Sequence, residues 1–256
     1  MQPEKPLPGR RAGFPGGAAA PGRASVAAVA AYGFVQIASC FFHRSGAGAE
    51  TAALYAMPAW KAAAAIVGGA APALIFAAAL LVANRGKDLA LTHPPDFFCA
   101  FFLFGLAVAA PALSFFAIPF DLALRFLGFE NAPQPLMDYF MSAGAPPVAK
   151  AAVVFCVLAI APVAEEIAFR AVLWRGLAAW FRDLAPRRGA RKAECAAAVA
   201  SSALFAAMHG SAWAFVPLFA FALALCAVYR RKSLLAAIAL HSGFNAGSCV
   251  LALTGA

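Results

Sequence analysis

Seven apolar runs occupy most of this chain, and they narrow the choice of fold more than any other feature. Most of them approach the roughly 20 residues that an α-helix needs to cross a bilayer. With 64% hydrophobic and 12% charged residues, the chain is far more apolar than an average soluble domain. Because a backbone in lipid must satisfy its own hydrogen bonds, we predict an all-α, polytopic transmembrane helical bundle of about seven spans. The runs lie at about residues 25–42, 62–83, 97–118, 148–174, 195–208, 212–228 and 234–253.

The formal net charge of +9 is carried by loops at the ends of apolar runs. The cations do not form a face interleaved with aromatic side chains, which argues against nucleic acid as a partner. Basic clusters at residues 10–23, 85–87, 182–192 and 230–232 precede the first run and follow the second, fourth and sixth. Since cytoplasmic loops carry the excess of Lys and Arg, we predict a cytoplasmic N-terminus and, with seven spans, an external C-terminus.

The chain divides into a short tail and one large unit. Residues 1–24 are rich in Gly, Pro and Arg, and we predict that they form a flexible basic cytoplasmic tail. Residues 25–256 then form a single transmembrane helical domain. Within it, residues 119–147 are expected to be the longest external connection, with a short interfacial helix at residues 136–141. The six cysteines lie singly, without metal-ligand spacing, and are interpreted as small packing residues.

An acidic pair interrupts the fourth apolar run. Burying even one carboxylate in a membrane helix costs several kcal/mol unless it is paired or used. On a helix, Glu166 and Arg170 are four residues apart and face each other, whereas Glu165 points about 100° away. We therefore predict that Arg170 neutralises Glu166 and that Glu165 faces a cavity. The alternative is that the pair only marks the exit of the helix from the membrane, with Arg170 snorkelling.

Two further polar clusters contain histidines. Phe205 and His209 are four residues apart near the end of the fifth run, and His241 and Asn245 are one helical turn apart inside the last run. Polar groups in hydrocarbon are costly unless they bond to each other, to another helix or to a ligand. The alternatives are a structural histidine at a helix end for His209 and a purely structural interhelical bond for His241 and Asn245.

A carboxylate, two histidines and a carboxamide on three helices are the parts needed for hydrolysis. A carboxylate in low dielectric is a competent general base, and imidazole and amide N–H groups stabilise a tetrahedral oxyanion. Glu165, His209 and His241 also suit an open three-ligand zinc site, and the residues alone do not separate these options.

Two functions of other classes use similar residues. A transporter or proton-relay protein also places ionisable residues inside the membrane, but the first three apolar runs contain almost none. A catalytically silent scaffold that binds a partner helix ranks third, because the polar clusters are complete.

The order and spacing of the clusters resemble the CPBP (CAAX protease and bacteriocin-processing) family of intramembrane endopeptidases, relatives of the type II CAAX prenyl proteases. The resemblance covers about residues 148–250, which form the expected catalytic core. The family's motifs EExxxR, FxxxH and HxxxN correspond here to Glu165-Glu166 with Arg170, Phe205 with His209, and His241 with Asn245.

The resemblance implies hydrolysis of a peptide bond near the membrane. It assigns water activation to Glu165 and His209 and the oxyanion site to His241 and Asn245. Supporting roles fall on Glu166, Arg170 and Phe205. The favoured glutamic mechanism needs no cofactor, whereas the rival mechanism uses zinc held by Glu165, His209 and His241. The resemblance also implies about eight spans, one more than the sequence indicates.

We therefore predict an integral membrane protease. The composition, rich in Ala and Arg, favours a bacterial inner membrane. The expected partners are the lipid bilayer and a peptide or membrane-anchored protein substrate, such as a prenylated CAAX tail, a peptide leader or a sorting signal. No residue identifies the substrate, and no pattern indicates the oligomeric state.

Overall fold

The computed structural model describes residues 20–42, 47–84, 96–128 and 135–254, and within these ranges the chain is helical with no strand. The all-α prediction is therefore confirmed. Most of the predicted tail, up to residue 19, lies outside the described residues. The helices are α1 (Arg23–Phe42), α2 (Ala47–Ala56), α3 (Ala59–Ala83), α4 (Asp96–Phe126), α5 (Pro135–Met141), α6 (Pro147–Leu184), α7 (Ala190–Ala207), α8 (Ala212–Arg231) and α9 (Leu234–Thr254).

Four of these helices, α3, α6, α8 and α9, are long and apolar enough to cross a bilayer. Helices α1 and α4 contain shorter apolar stretches, Arg23–Ile37 and Phe98–Ala109. Helix α7 carries Arg191, Lys192 and Glu194 in its first turns, so fewer of its residues suit hydrocarbon. Each predicted run coincides with a helix, but a bundle of seven spans stays a prediction.

The connection expected from residue 119 begins later than predicted. Helix α4 continues through Pro111 and Pro119 to Phe126. Proline removes a backbone donor, but neighbouring helices and local adjustments can satisfy the carbonyl that it frees in a membrane helix. The short helix predicted at residues 136–141 is confirmed as α5.

Helix α6 is the centre of the fold. It contains two π-helical segments, Cys156–Ile160 and Glu166–Trp174, a local geometry that often occurs at functional sites. All residues of the second segment are buried, and α1, α3, α7, α8 and α9 contact it. Glu166 and Arg170 of the acidic motif therefore lie in a fully buried stretch of α6.

Helices α4 and α9 pack with their backbones in contact. A methyl group on Gly243 would collide with the carbonyl oxygen of Phe102, and one on Gly105 would collide with that of Leu240. A methyl group on Gly247 would meet the side chain of Ala109. Gly243 and Gly247 have the four-residue spacing of small residues that lets membrane helices approach closely. This contact fixes the position of α9, which carries the third motif.

Helix α1 is seated on α6 and α7 by close contacts at glycines. A methyl group on Gly176 of α6 would collide with Val26, and one on Gly33 of α1 would lie 3.0 Å from the Leu204 side chain of α7. At the start of α1, Ser25 Oγ accepts a hydrogen bond from Asn84 Nδ2 at 3.2 Å. These contacts hold α1 beside the acidic motif.

Candidate active site

The two adjacent glutamates have different surroundings. Glu166 and Arg170 are almost fully buried, with 0% and 1% of their surfaces exposed. Arg170 Nε lies 3.1 Å from Glu166 Oε2, so the structure contains the expected pair. Because Arg170 is enclosed by protein, its side chain does not extend to a surface as snorkelling would require.

The guanidinium of Arg170 also contacts an aromatic ring. Its central carbon lies 4.4 Å from the centroid of the Phe205 ring, a distance typical of a cation–π contact. Arg170 Nε and Glu166 Oε2 are not aligned as a hydrogen bond, so the pair is held by charge attraction. Phe205 therefore contributes to the burial of this cation.

His241 connects the two glutamates. Its Nδ1 lies 2.8 Å from Glu166 Oε1, and its Nε2 lies 3.7 Å from Glu165 Oε2. Because an ionised carboxylate only accepts hydrogen bonds, Nδ1 carries the hydrogen and donates it to Glu166. Glu166 thus fixes the orientation of the ring and directs Nε2 toward Glu165.

Glu165 lines a cavity of about 230 Å³, as its position on the helix predicts. The side chain of Glu165 is 19% exposed. Residues of α1, α3 and α6, together with Met208 after the end of α7, form the walls. Most of the lining side chains are alanine or large apolar residues, so the carboxylate borders a largely apolar space.

Phe205 lies between the two motif histidines. Its ring centroid is 4.9 Å from that of His209 and 5.9 Å from that of His241. His209 follows the end of α7, and its Nδ1 lies 2.8 Å from the backbone oxygen of Phe205. A carbonyl oxygen accepts, so Nδ1 carries the hydrogen and the lone pair of the neutral ring is on Nε2.

Asn245 bonds to the backbone of α6. Its Nδ2 donates to the Val157 carbonyl at 2.9 Å, within the first π-helical segment. This is an interhelical bond of the kind that the structural alternative describes. An amide nitrogen has two hydrogens, so the bond to Val157 leaves a second one.

Sequence reasoning missed several residues that shape the site. Phe221 of α8 lies against the rings of His241 and Phe244, at 5.5 Å and 4.1 Å between centroids. A phenylalanine in an apolar helix gives no signal that would single it out. Gly243 and Gly247 did carry a signal, since the spacing of small residues indicates close helix packing.

A zinc site was the rival expectation for Glu165, His209 and His241. Among the described residues, no three side chains of the His, Cys, Asp and Glu types are grouped as metal ligands. Glu165 and His241 face each other, and the bonds of both histidines are at Nδ1, an arrangement that is also common in histidines that bind a metal through the other nitrogen. The two mechanisms are separated by the chelation experiment described below.

Comparison with known proteins gives a family match for the second part of the chain. Residues 147–247 match a family model described as type II CAAX prenyl endopeptidase Rce1-like. No curated protein and no solved structure matches the chain. The matched residues contain α6 to α8, most of α9 and all three predicted motifs. This match and the membrane-length helices indicate an integral membrane protease. Over residues 147–247 the chain is therefore similar to the Rce1-like endopeptidases, which is consistent with the CPBP motifs of its sequence.

Proposed function

We propose that this protein is an intramembrane endopeptidase in which Glu165 activates a water molecule for attack on a peptide bond. One observation carries the proposal. The Glu165 carboxylate borders the apolar cavity and faces Nε2 of His241 at 3.7 Å. Low dielectric strengthens the electrostatic contacts of a charged base with its neighbours.

Glu165 is the general base of the proposed reaction. It takes a proton from water while the water oxygen bonds to the carbonyl carbon of the substrate. His209 assists, because its bond to the Phe205 carbonyl places the lone pair of the neutral ring on Nε2. When the tetrahedral intermediate collapses, the C–N bond breaks and Glu165 returns the proton to the leaving nitrogen.

His241 and Asn245 stabilise the oxyanion in this proposal. Nδ1 of His241 donates to Glu166, and Nε2 of the same ring faces Glu165. An imidazolium keeps its Nδ1 bond to Glu166 and also donates from Nε2. The second amide hydrogen of Asn245 supplies another donor. Each such donor contributes about 10²-fold or more in rate where it has been removed from other enzymes.

The substrate class follows from the family description and from the cavity. A peptide with a prenylated CAAX end is the first candidate, and an unprenylated leader or membrane anchor is the second. An apolar cavity suits apolar side chains in either case. We place the protein in a bacterial inner membrane with its N-terminus in the cytoplasm, on the basis of composition and loop charge.

A cleavage assay on the full chain in detergent tests the proposal. The substrates are a fluorescence-quenched farnesylated CAAX peptide and its unprenylated counterpart. The wild type should cleave at least one of them, and Glu165→Gln should lose at least about 10²-fold in kcat. Glu194→Gln is the matched control, because Glu194 pairs with Arg230 at 3.6 Å and is not among the cavity-lining residues.

A chelator separates the two mechanisms. Glutamic catalysis should continue in the presence of 1,10-phenanthroline. Activity that is lost on chelation and restored by added zinc would overturn the glutamic mechanism in favour of the zinc-dependent protease. Full activity of Glu165→Gln would overturn both. Proton flux in liposomes, without cleavage of either peptide, would support the transporter instead.

A further inference from the structure

Two polar groups border the cavity without a bond to each other. Among the residues that line it, Tyr32, Cys156 and Glu165 have groups that can form hydrogen bonds with an occupant. Cys156 Sγ is directed to the Ile66 carbonyl at 3.9 Å. Tyr32 and Glu165 both line the cavity, and in the described part of the chain no hydrogen bond joins them. An occupant of the cavity therefore meets a hydroxyl on α1 and a carboxylate on α6.

The position of Tyr32 is well defined. Its ring stacks on Phe76 of α3, with 5.1 Å between centroids and an interplanar angle of 26°. The side chain of Gln36, one turn further along α1, lies close enough to interact with the hydroxyl. The close contacts of α1 at Gly33 and Gly176 fix the helix that carries it. Tyr32 is thus held in place rather than free to leave the cavity wall.

The hydroxyl of Tyr32 has capacity for a further bond. A phenol offers one hydrogen and two lone pairs, which is more than a single interaction with Gln36 can use. A peptide that is cleaved inside a membrane must first leave its helical hydrogen bonding, which exposes backbone carbonyls. In hydrocarbon such carbonyls need a donor from the protein. The other cavity walls, being mostly alanine and large apolar side chains, do not supply one.

We propose that the Tyr32 hydroxyl donates a hydrogen bond to a backbone carbonyl of the bound peptide, across the cavity from Glu165. This rests on the proposed endopeptidase function and adds a substrate-binding residue to it. Tyr32 lies outside residues 147–247, the segment that matches the family. Helix α1 is then part of the active site, although its sequence carries none of the family motifs.

The test compares Tyr32→Phe with the wild type in the full chain, in detergent, on the farnesylated and unprenylated peptides. Phenylalanine keeps the stacking on Phe76 and removes only the hydroxyl. We expect KM to rise about tenfold, with kcat within about twofold of the wild type, because an unpaired carbonyl costs the complex one hydrogen bond. The midpoint of thermal unfolding should not change. Tyr55→Phe is the matched control, because Tyr55 packs against Tyr139 of α5 and does not line the cavity.

A binding measurement keeps this proposal separate from the catalytic one. The dissociation constants of the same peptides are measured by fluorescence anisotropy on Glu165→Gln and on Glu165→Gln with Tyr32→Phe. A tenfold weaker complex in the double variant supports the role of Tyr32, even if the wild type cleaves neither peptide. Unchanged KM and unchanged dissociation constants overturn the proposed role of Tyr32. The endopeptidase proposal stands independently of that result if Glu165→Gln is inactive. If neither peptide binds to Glu165→Gln, the proposed role of Tyr32 is overturned as well.

Discussion

Glu166 depends on two partners, and each of them can be removed separately. Arg170 compensates its charge on one side, and His241 donates a hydrogen bond on the other. A buried carboxylate that loses its cation is left as an uncompensated charge, which is far more costly than the absence of the whole pair. Substitutions that remove one of these contacts should therefore have measurable effects on stability or on turnover.

Arg170→Ala should destabilise the protein strongly. It removes the cation from Glu166, which is fully buried, and also leaves a void beside Phe205. We expect a loss of about 3–5 kcal/mol, seen as a lower midpoint of thermal unfolding in detergent. Arg182→Ala, at an exposed position on α6, is the control and should change the midpoint little. Equal midpoints for Arg170→Ala and the wild type would show that Glu166 has another source of compensation.

Glu166→Gln should reduce turnover and also lower the midpoint of thermal unfolding, because the buried Arg170 cation loses its counter-charge. The Gln carbonyl can still accept from Nδ1 of His241, but the negative charge beside the ring, which the oxyanion site uses, is absent. By analogy with the loss of the aspartate charge in a Ser-His-Asp triad, kcat should fall by about 10²–10⁴-fold. Steady-state kinetics on the peptide that the wild type cleaves measure this. A change confined to KM would assign Glu166 to substrate binding instead.

The residue-level predictions from sequence succeeded where the partners are close along the chain. Four-residue spacing on a helix predicted the contacts of Glu166 with Arg170 and of Phe205 with His209. The hydrogen bond of His241 to Glu166 joins residues 75 positions apart, so no local pattern could indicate it. The same applies to Asn245 and Val157, which are 88 positions apart.

At the level of the helices, glycines determine which elements come into close contact. Gly105, Gly243 and Gly247 bring α4 and α9 together, and Gly176 brings α6 to α1. Each contact positions a helix that borders the cavity or carries a motif. Substitution of these glycines therefore tests the packing without altering a polar side chain of the site.

Gly243→Ala should separate α4 from α9. The added methyl group meets the backbone oxygen of Phe102, which cannot move without the whole helix. We expect a loss of at least about 2 kcal/mol and a fall in activity, since His241 and Asn245 move with α9. Gly68→Ala on α3 is the control, because nothing lies within 4 Å of a methyl group there. It should be neutral or slightly stabilising.

Gly176→Ala should displace α1, and a second substitution should restore it. The new methyl group collides with the branched side chain of Val26, which has little freedom to rotate away. Activity should fall in Gly176→Ala and recover in Gly176→Ala with Val26→Ala, where the space reappears. Val26→Ala alone measures the loss of the Val26 contacts. Without such recovery, the contact between α1 and α6 would not be what positions the cavity wall.

Helix positions were largely predictable because apolar runs and helix lengths have the same physical cause, the thickness of a bilayer. Local chemistry misled the prediction at Pro119, where the helix continues. The π-helical segments of α6 were not predictable. The second of them, Glu166–Trp174, is contacted by five surrounding helices, and the local sequence does not encode that packing.

For the whole molecule, the number of crossings is linked to the sides on which the two ends lie. Among the described residues, four helices meet the requirements for a span, whereas the apolar runs predict seven and the family resemblance about eight. An odd number places the ends on opposite sides of the membrane, and an even number places them on the same side. The loop charges predict the first arrangement.

Reporter fusions at both ends measure this arrangement. A green fluorescent protein that folds only in the cytoplasm should be bright at the N-terminus and dark at the C-terminus. Alkaline phosphatase, active only outside, should give the reverse pattern. The two reporters at each position serve as mutual controls. Both ends in the cytoplasm would contradict seven spans and agree with eight.

The close contact of α4 and α9 also limits how a substrate can arrive. At Gly243 and Gly105 the contact is formed by the carbonyl oxygens of Phe102 and Leu240, so at these positions backbone atoms rather than movable side chains close the seam. Opening this contact would require α4 and α9 to separate as whole helices. That movement would also displace His241 and Asn245, which α9 carries. We therefore expect a peptide that diffuses within the membrane to reach the site between other helices, where movable side chains form the contact.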